Sequence, residues 1–74
     1  MSQRIRRMNA RQLESLLRQY GFELISQKGS HRKWRQPQLR IQVIVPEHKG
    51  RDIPLGTLHT ILQESQIPES EWRS

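Results

Sequence analysis

The chain has 74 residues, only 32% of them hydrophobic, no cysteine, and thirteen Lys and Arg against seven Asp and Glu, for a formal net charge of +6. That length makes one domain whose small core supplies little net stability, so a partner is expected to contribute. Disulfides, thiol nucleophiles and Cys-based zinc sites are excluded; the longest aliphatic stretch, Ile41 to Val45 interrupted by Gln42, is far short of the ~20 residues that span a bilayer, and no apolar signal-peptide core is present, so a cytoplasmic domain is expected.

Residues 1–8 (MSQRIRRM) hold Arg4, Arg6 and Arg7 without an apolar period, which predicts a basic flexible lead-in to a single domain over 9–74. Met8 is a second candidate start, and without residues 1–7 the net charge falls to +3. Asn9 is a good N-cap and Gln12 completes a capping-box pattern. Leu13, Leu16, Leu17 and Tyr20 recur at i, i+3, i+4 and i+7, one face of a helix, which Gly21 stops and onto which Phe22 folds back.

From residue 22 the period changes to two. Phe22 and Leu24 fall on one face, and Lys28-Gly29-Ser30 makes a turn. His31, Lys33 and Arg35 then alternate against Arg32 and Trp34; after a second turn at Gln36-Pro37-Gln38, Leu39, Ile41, Val43 and Val45 alternate against Arg40, Gln42 and Ile44. The apolar side is expected to pack on the helices, leaving His31, Lys33, Arg35, Arg40 and Gln42 on the other. Residues 46–53 form a loop; Pro54 starts a second helix with Leu55, Leu58, Ile61 and Leu62 as its stripe, ended before Pro68. Residues 68–72 suit one more helical turn, acidic at its start, with Trp72 packing back.

The positive charge is local. Residues 1–40 carry ten basic and two acidic side chains, and residues 41–74 carry three and five. Ten of the thirteen cations are Arg, the side chain suited to bidentate phosphate contact, so a polyanion is the expected partner and a merely solubilising charge the plainer alternative. No segment joins a basic face to a large apolar one, which disfavours a membrane surface.

Helix–strand–strand–strand–helix with an antiparallel sheet is the order of a double-stranded-RNA-binding domain, an α+β fold with two helices packed on one face of three strands. A more specific likeness lies in Gln27-Lys28-Gly29-Ser30-His31 followed by Trp34, and in Val45-Pro46-Glu47-His48, Asp52-Ile53-Pro54, Gly56-Thr57-Leu58 and Ile61-Leu62, with Gly21-Phe22 after the first helix. On these motifs, over roughly residues 9–67, the chain resembles the HicA (YcfA-like) toxins. Trp34 stands where Tyr or Phe is more usual, and the basic lead-in is longer than most. The resemblance implies a toxin of a type II toxin–antitoxin pair, an endoribonuclease cleaving mRNA and neutralised by a HicB-type antitoxin, with the catalytic histidine at His31.

The residue chemistry permits that activity. RNA carries its own nucleophile, the 2′-hydroxyl, so cleavage needs a base near it, cations around the phosphate and an acid for the leaving 5′-oxygen. Imidazole serves as base or acid near neutral pH. The Lys28-Gly29-Ser30 turn lets backbone approach a ligand and brings a cation and a hydroxyl, while Lys33 and Arg35 could offset phosphate charge and Arg40 is a further RNA-binding cation. No metal or cofactor is called for. By residue chemistry alone a histidine at a strand start is a surface residue; the resemblance assigns His31 its role. His48 is either a second acid–base or RNA-binding group or an exposed loop histidine. His59 is expected at a packing boundary, and zinc on His31, His48 and His59 would need three separate elements to converge. Gly56-Thr57 at the start of the second helix could offer amides to a phosphate, with a packing glycine the plainer reading, and Trp34 and Tyr20 could stack on bases, although their apolar faces favour the core. The alternatives are a non-catalytic RNA-binding module of the same fold and, more remotely, a degenerate partner-binding protein.

Overall fold

Asn9 Oδ1 accepts the Gln12 amide and the Asn9 amide donates to Gln12 Oε1, both at 2.9 Å, closing the capping box that starts α1 (Ala10–Gln19). The helix buries Leu13, Leu16 and Leu17. At its end the Gly21 amide donates to the Arg18 carbonyl and the Phe22 amide to the Leu17 carbonyl, a Schellman pair that needs the left-handed backbone of Gly21 (φ +86). A Cβ there would also stand 3.0 Å from Gln36 Nε2, so the Gln36 side chain would have to give way. These features are seen in a computed structural model that describes residues 4–73.

Strands β1 (Glu23–Lys28), β2 (His31–Gln36) and β3 (Ile41–Pro46) form one antiparallel sheet in the order β1-β2-β3, followed by α2 (Leu55–Glu64) and a 3-10 turn at Glu69–Glu71. The architecture is the α+β, α-β-β-β-α arrangement expected, with both helices against β3 on one side of the sheet. Trp34, Val43 and Val45 from the strands meet Leu58, Ile61 and Leu62 from α2 in a single buried cluster. Trp72 closes it, its Nε1 donating to the Ile67 carbonyl at 2.9 Å.

Three expectations need correction. Leu24 is not in the core: β1 is the edge strand away from the helices, which pack on the other edge, β3; all six of its residues are exposed, and Leu24 keeps 45% of its surface. Leu39 and Arg40 do not belong to a strand. The β2–β3 connection takes in residues 37–40, with Leu39 half exposed and Arg40 closing the turn at φ +57. Finally, residues 4–8 are not a free lead-in. Ile5 bridges Arg73, the Arg6 amide donates to the Trp72 carbonyl at 2.9 Å, and Met8 is 6% exposed within the core, its carbonyl accepting the Ile53 amide. Single apolar residues at positions 5 and 8 carry no period, so only the partner segments 53 and 72–73 reveal their packing. Residues 1–3 of the expected lead-in lie outside the described residues.

One buried polar network escaped the sequence patterns. Glu14, 5% exposed, accepts Trp34 Nε1 at 2.8 Å on one oxygen and Arg32 Nη1 at 2.9 Å on the other, while Arg32 also reaches Glu47 at 3.4 Å. The carboxylate thus ties α1 to β2 through both of its oxygens. Glu14→Ala removes the acceptor of a buried indole N–H, and the loss is expected to be about 2 kcal/mol. Urea denaturation checks it; a change below about 0.5 kcal/mol, the range of ordinary surface substitutions, would show the network to be dispensable.

Candidate functional site

The β1–β2 hairpin closes through Gly29 and Ser30, with Lys28 paired to His31. Gly29 has φ +60 at the first of the two turn positions, the one that type II′ hairpins reserve for glycine. The register carries a bulge: Leu24 pairs with Trp34 and Ser26 with Lys33, leaving Ile25 as the extra residue. Because side chains alternate strictly, one inserted residue flips everything after it to the other face. Leu24 therefore lies on the Trp34 side, whereas Ser26 and Lys28 come out on the side of Lys33 and His31. Without the bulge, Lys28 would point toward the helices.

The outer sheet face carries Ser26, Lys28, His31, Lys33 and Ile44, which together line an open hollow of ≈ 620 Å³. That volume is in the range of small-ligand sites, enough for a nucleotide-sized group. Ile44, opposite Lys33 on β3, is 50% exposed and supplies an apolar wall among the cations. The hydrophobic alternation of β3 marked Ile44 as outward-facing but gave no sign that it would join a site, and Ser26 was hidden by the bulge.

The remaining candidate residues divide. Arg35 lies on the same outer face, opposite Gln42, four residues from His31 and so about 13 Å along the strand. Arg40 does not join them: it sits in the turn at the far end of β2, past the Gln36–Ile41 pair, while His31 pairs with Pro46 at the near end. Ser30 and His48 line a neighbouring hollow with Glu47, Lys49 and Arg51, joined to the hairpin by the Glu47 amide donating to the Ser30 carbonyl at 2.7 Å. His48 is exposed there and does not line the His31 hollow. Arg32 faces inward on Glu14, as the alternation of β2 requires, and adds nothing to the outer face. Trp34 is core, 1% exposed, with Arg18 stacked over its ring at 4.8 Å.

His59 packs against Trp72, ring centroids 5.6 Å apart, at the boundary position expected. Among the described residues no group of three or more His, Asp and Glu is placed to hold a metal ion, and no helix is long and apolar enough to cross a membrane. Tyr20 is half-buried rather than fully packed; its hydroxyl donates to Glu71 Oε2 at 2.7 Å, and that bond, with the nearby negative charge, holds the phenol protonated above its ordinary range.

The family model described as "HicA toxin of bacterial toxin-antitoxin" matches residues 10–67, a span that includes the hairpin, the outer sheet face and α2. No curated protein and no solved structure matches the chain. With most of its length under one model and the α-β-β-β-α order in place, the chain belongs to the HicA toxin family of bacterial toxin–antitoxin systems.

Proposed function

We propose that this toxin is an endoribonuclease that cleaves mRNA by transphosphorylation, with His31 as the proton-transfer group. The observation that carries the reading is the grouping of Lys28, His31 and Lys33 around one hollow on the outer sheet face. The ribose 2′-oxygen attacks the adjacent phosphorus and the 5′-oxygen leaves. His31 takes the 2′ proton or delivers one to the 5′-oxygen, and solvent water makes the other transfer, so that the 5′-oxygen leaves as a hydroxyl. Lys28 and Lys33 offset the charge that builds on the phosphoryl oxygens, with Gly29, Ser30 and Arg35 as further RNA contacts and His48 at the neighbouring hollow. Arg40, in the turn at the far end of β2, is left to contact a flanking nucleotide. The protein acts on mRNA in the cytoplasm and is restrained by a HicB-type antitoxin laid over the same cations.

Because RNA brings its own nucleophile and the site brings a proton carrier and fixed cations, the reaction needs no metal. Cleavage of an mRNA transcript is expected to proceed in EDTA and to leave a 2′,3′-cyclic phosphate, or its hydrolysis product, and a 5′-hydroxyl. End-group analysis of the fragments checks this. Activity that vanishes in EDTA and returns with magnesium or manganese would overturn the mechanism.

A second reading, a non-catalytic RNA-binding module, rests on the exposure of His31, whose ring has no hydrogen-bond partner among the described residues to orient it. A binder needs only the cations of this face.

A further inference from the structure

The segments outside the family match, residues 4–9 and 68–73, pair with each other rather than trailing free. Ile5 bridges Arg73, the Arg6 amide bonds the Trp72 carbonyl, and the Arg6 guanidinium donates to the Glu71 carbonyl. This clasp holds Arg6 and Arg7 against the solvent side of α1, where they line a hollow with Gln12, Ser15, Gln19 and Glu71. The hollow shares no residue with the one around His31, and it lies on the helical layer, on the opposite side of the sheet.

Its chemistry is that of a phosphate-contact surface. Two guanidinium groups stand beside two carboxamides and a hydroxyl, the side chains that make most nucleic-acid backbone contacts. The one carboxylate, Glu71, is already engaged by the Tyr20 hydroxyl. Arg7 makes no ion pair among the described residues. An apolar anchor of the kind that dominates protein interfaces is missing: Met8 and Leu16, the apolar groups of the hollow, are 6% and 7% exposed.

We infer that the Arg6–Arg7 clasp is a second RNA-binding surface, engaging the backbone of an RNA whose scissile nucleotide lies on the sheet face. This rests on the reading of the protein's substrate as RNA. The molecule is 17 Å across in its thinnest direction, so only an RNA longer than the sheet-face footprint can touch both surfaces, and the tethered second contact then raises affinity without altering the first.

The test uses 2′-O-methyl oligonucleotides, which the 2′-hydroxyl mechanism cannot cleave, of about 6 and about 24 nucleotides, the first near the lower end of common single-strand site sizes and the second well beyond their upper end. Binding is followed by fluorescence anisotropy at several salt concentrations. Arg6→Gln/Arg7→Gln is expected to weaken the 24-mer on the order of tenfold and lower its log–log salt slope by about 1.4, while leaving the 6-mer unchanged. Because Arg6 also bonds the chain at Glu71, Arg7→Glu alone serves as a second variant with an exposed, unpaired side chain, and thermal melting confirms that both fold. Unchanged 24-mer binding in both variants would overturn the inference, as would equal losses for the two lengths, which mark a general field effect. Loss of binding to a cognate antitoxin with RNA binding intact would make this a protein surface instead. If Lys33→Glu/Arg35→Glu abolishes 6-mer binding while the clasp variants do nothing, the clasp alone fails; if the unaltered protein binds neither oligonucleotide, the RNA reading itself fails.

Discussion

Replacing His31 with alanine is expected to slow RNA cleavage by about two to four orders of magnitude, the span that a positioned proton-transfer group contributes. The fold is expected to survive, because His31 is an exposed residue at the first position of β2 and packs against none of the core. RNA affinity should change little, since Lys28 and Lys33 remain in the hollow. Single-turnover cleavage of an mRNA transcript, paired with binding to an uncleavable RNA, separates the two quantities. A variant that cuts at the parental rate would remove the enzyme reading from this site, and a parent that binds but never cuts would leave the RNA-binding module in its place. A large loss of both affinity and cleavage would instead give His31 a binding role.

How far the site could be read from the chain depends on whether the causes were local. The Asn9–Gln12 box and the Gly21 stop are decided within four residues, and both occur where the pattern places them. The alternation of β2 likewise placed Trp34 inward and Lys33 outward, because a strand with one buried face has no freedom of register. The bulge at Ile25 had no such signal: Leu24, Ile25, Ser26 and Gln27 offer neither glycine nor a clean period, and the exposure of all of β1 leaves no burial to enforce one. That single irregularity hid Ser26 and the outward turn of Lys28. Buried polar groups were hidden for a different reason. Glu14 looks like an ordinary helix-surface acid until Arg32 and Trp34, about twenty residues away, are brought to it. Gln36 sits in what reads as a turn, yet it is 7% exposed, its Nε2 donating to the Tyr20 carbonyl and its Oε1 accepting the Leu39 amide. Assigning chemistry to His31 needed the family motif as well, since a histidine at a strand start is by itself an ordinary surface residue.

Charge reversal at Lys33 and Arg35 is expected to weaken RNA and the antitoxin together. Both side chains stand on the outer face with His31, opposite Ile44 and Gln42, and neither contributes to the buried cluster, so the fold should be retained. Each lost phosphate contact lowers the log–log salt slope by about 0.7 for a single strand, so the pair should remove about 1.4 and weaken binding on the order of tenfold or more at moderate salt. An antitoxin that works by covering the site must set acidic or polar groups against the same cations, because burying them unpaired is costly. It should therefore lose affinity in the same variant. Arg18 is the comparison: on α1, stacked over Trp34, it lies on the other side of the sheet and lines no part of the His31 hollow. Reversal there is expected to remove a cation–π contact worth about 0.5–1 kcal/mol of stability and to leave both affinities nearly unchanged. Measuring both affinities at two salt concentrations for each variant decides the matter. If Lys33→Glu/Arg35→Glu changes neither while Arg18→Glu changes both, the working surface is helical and the outer sheet face is not the site.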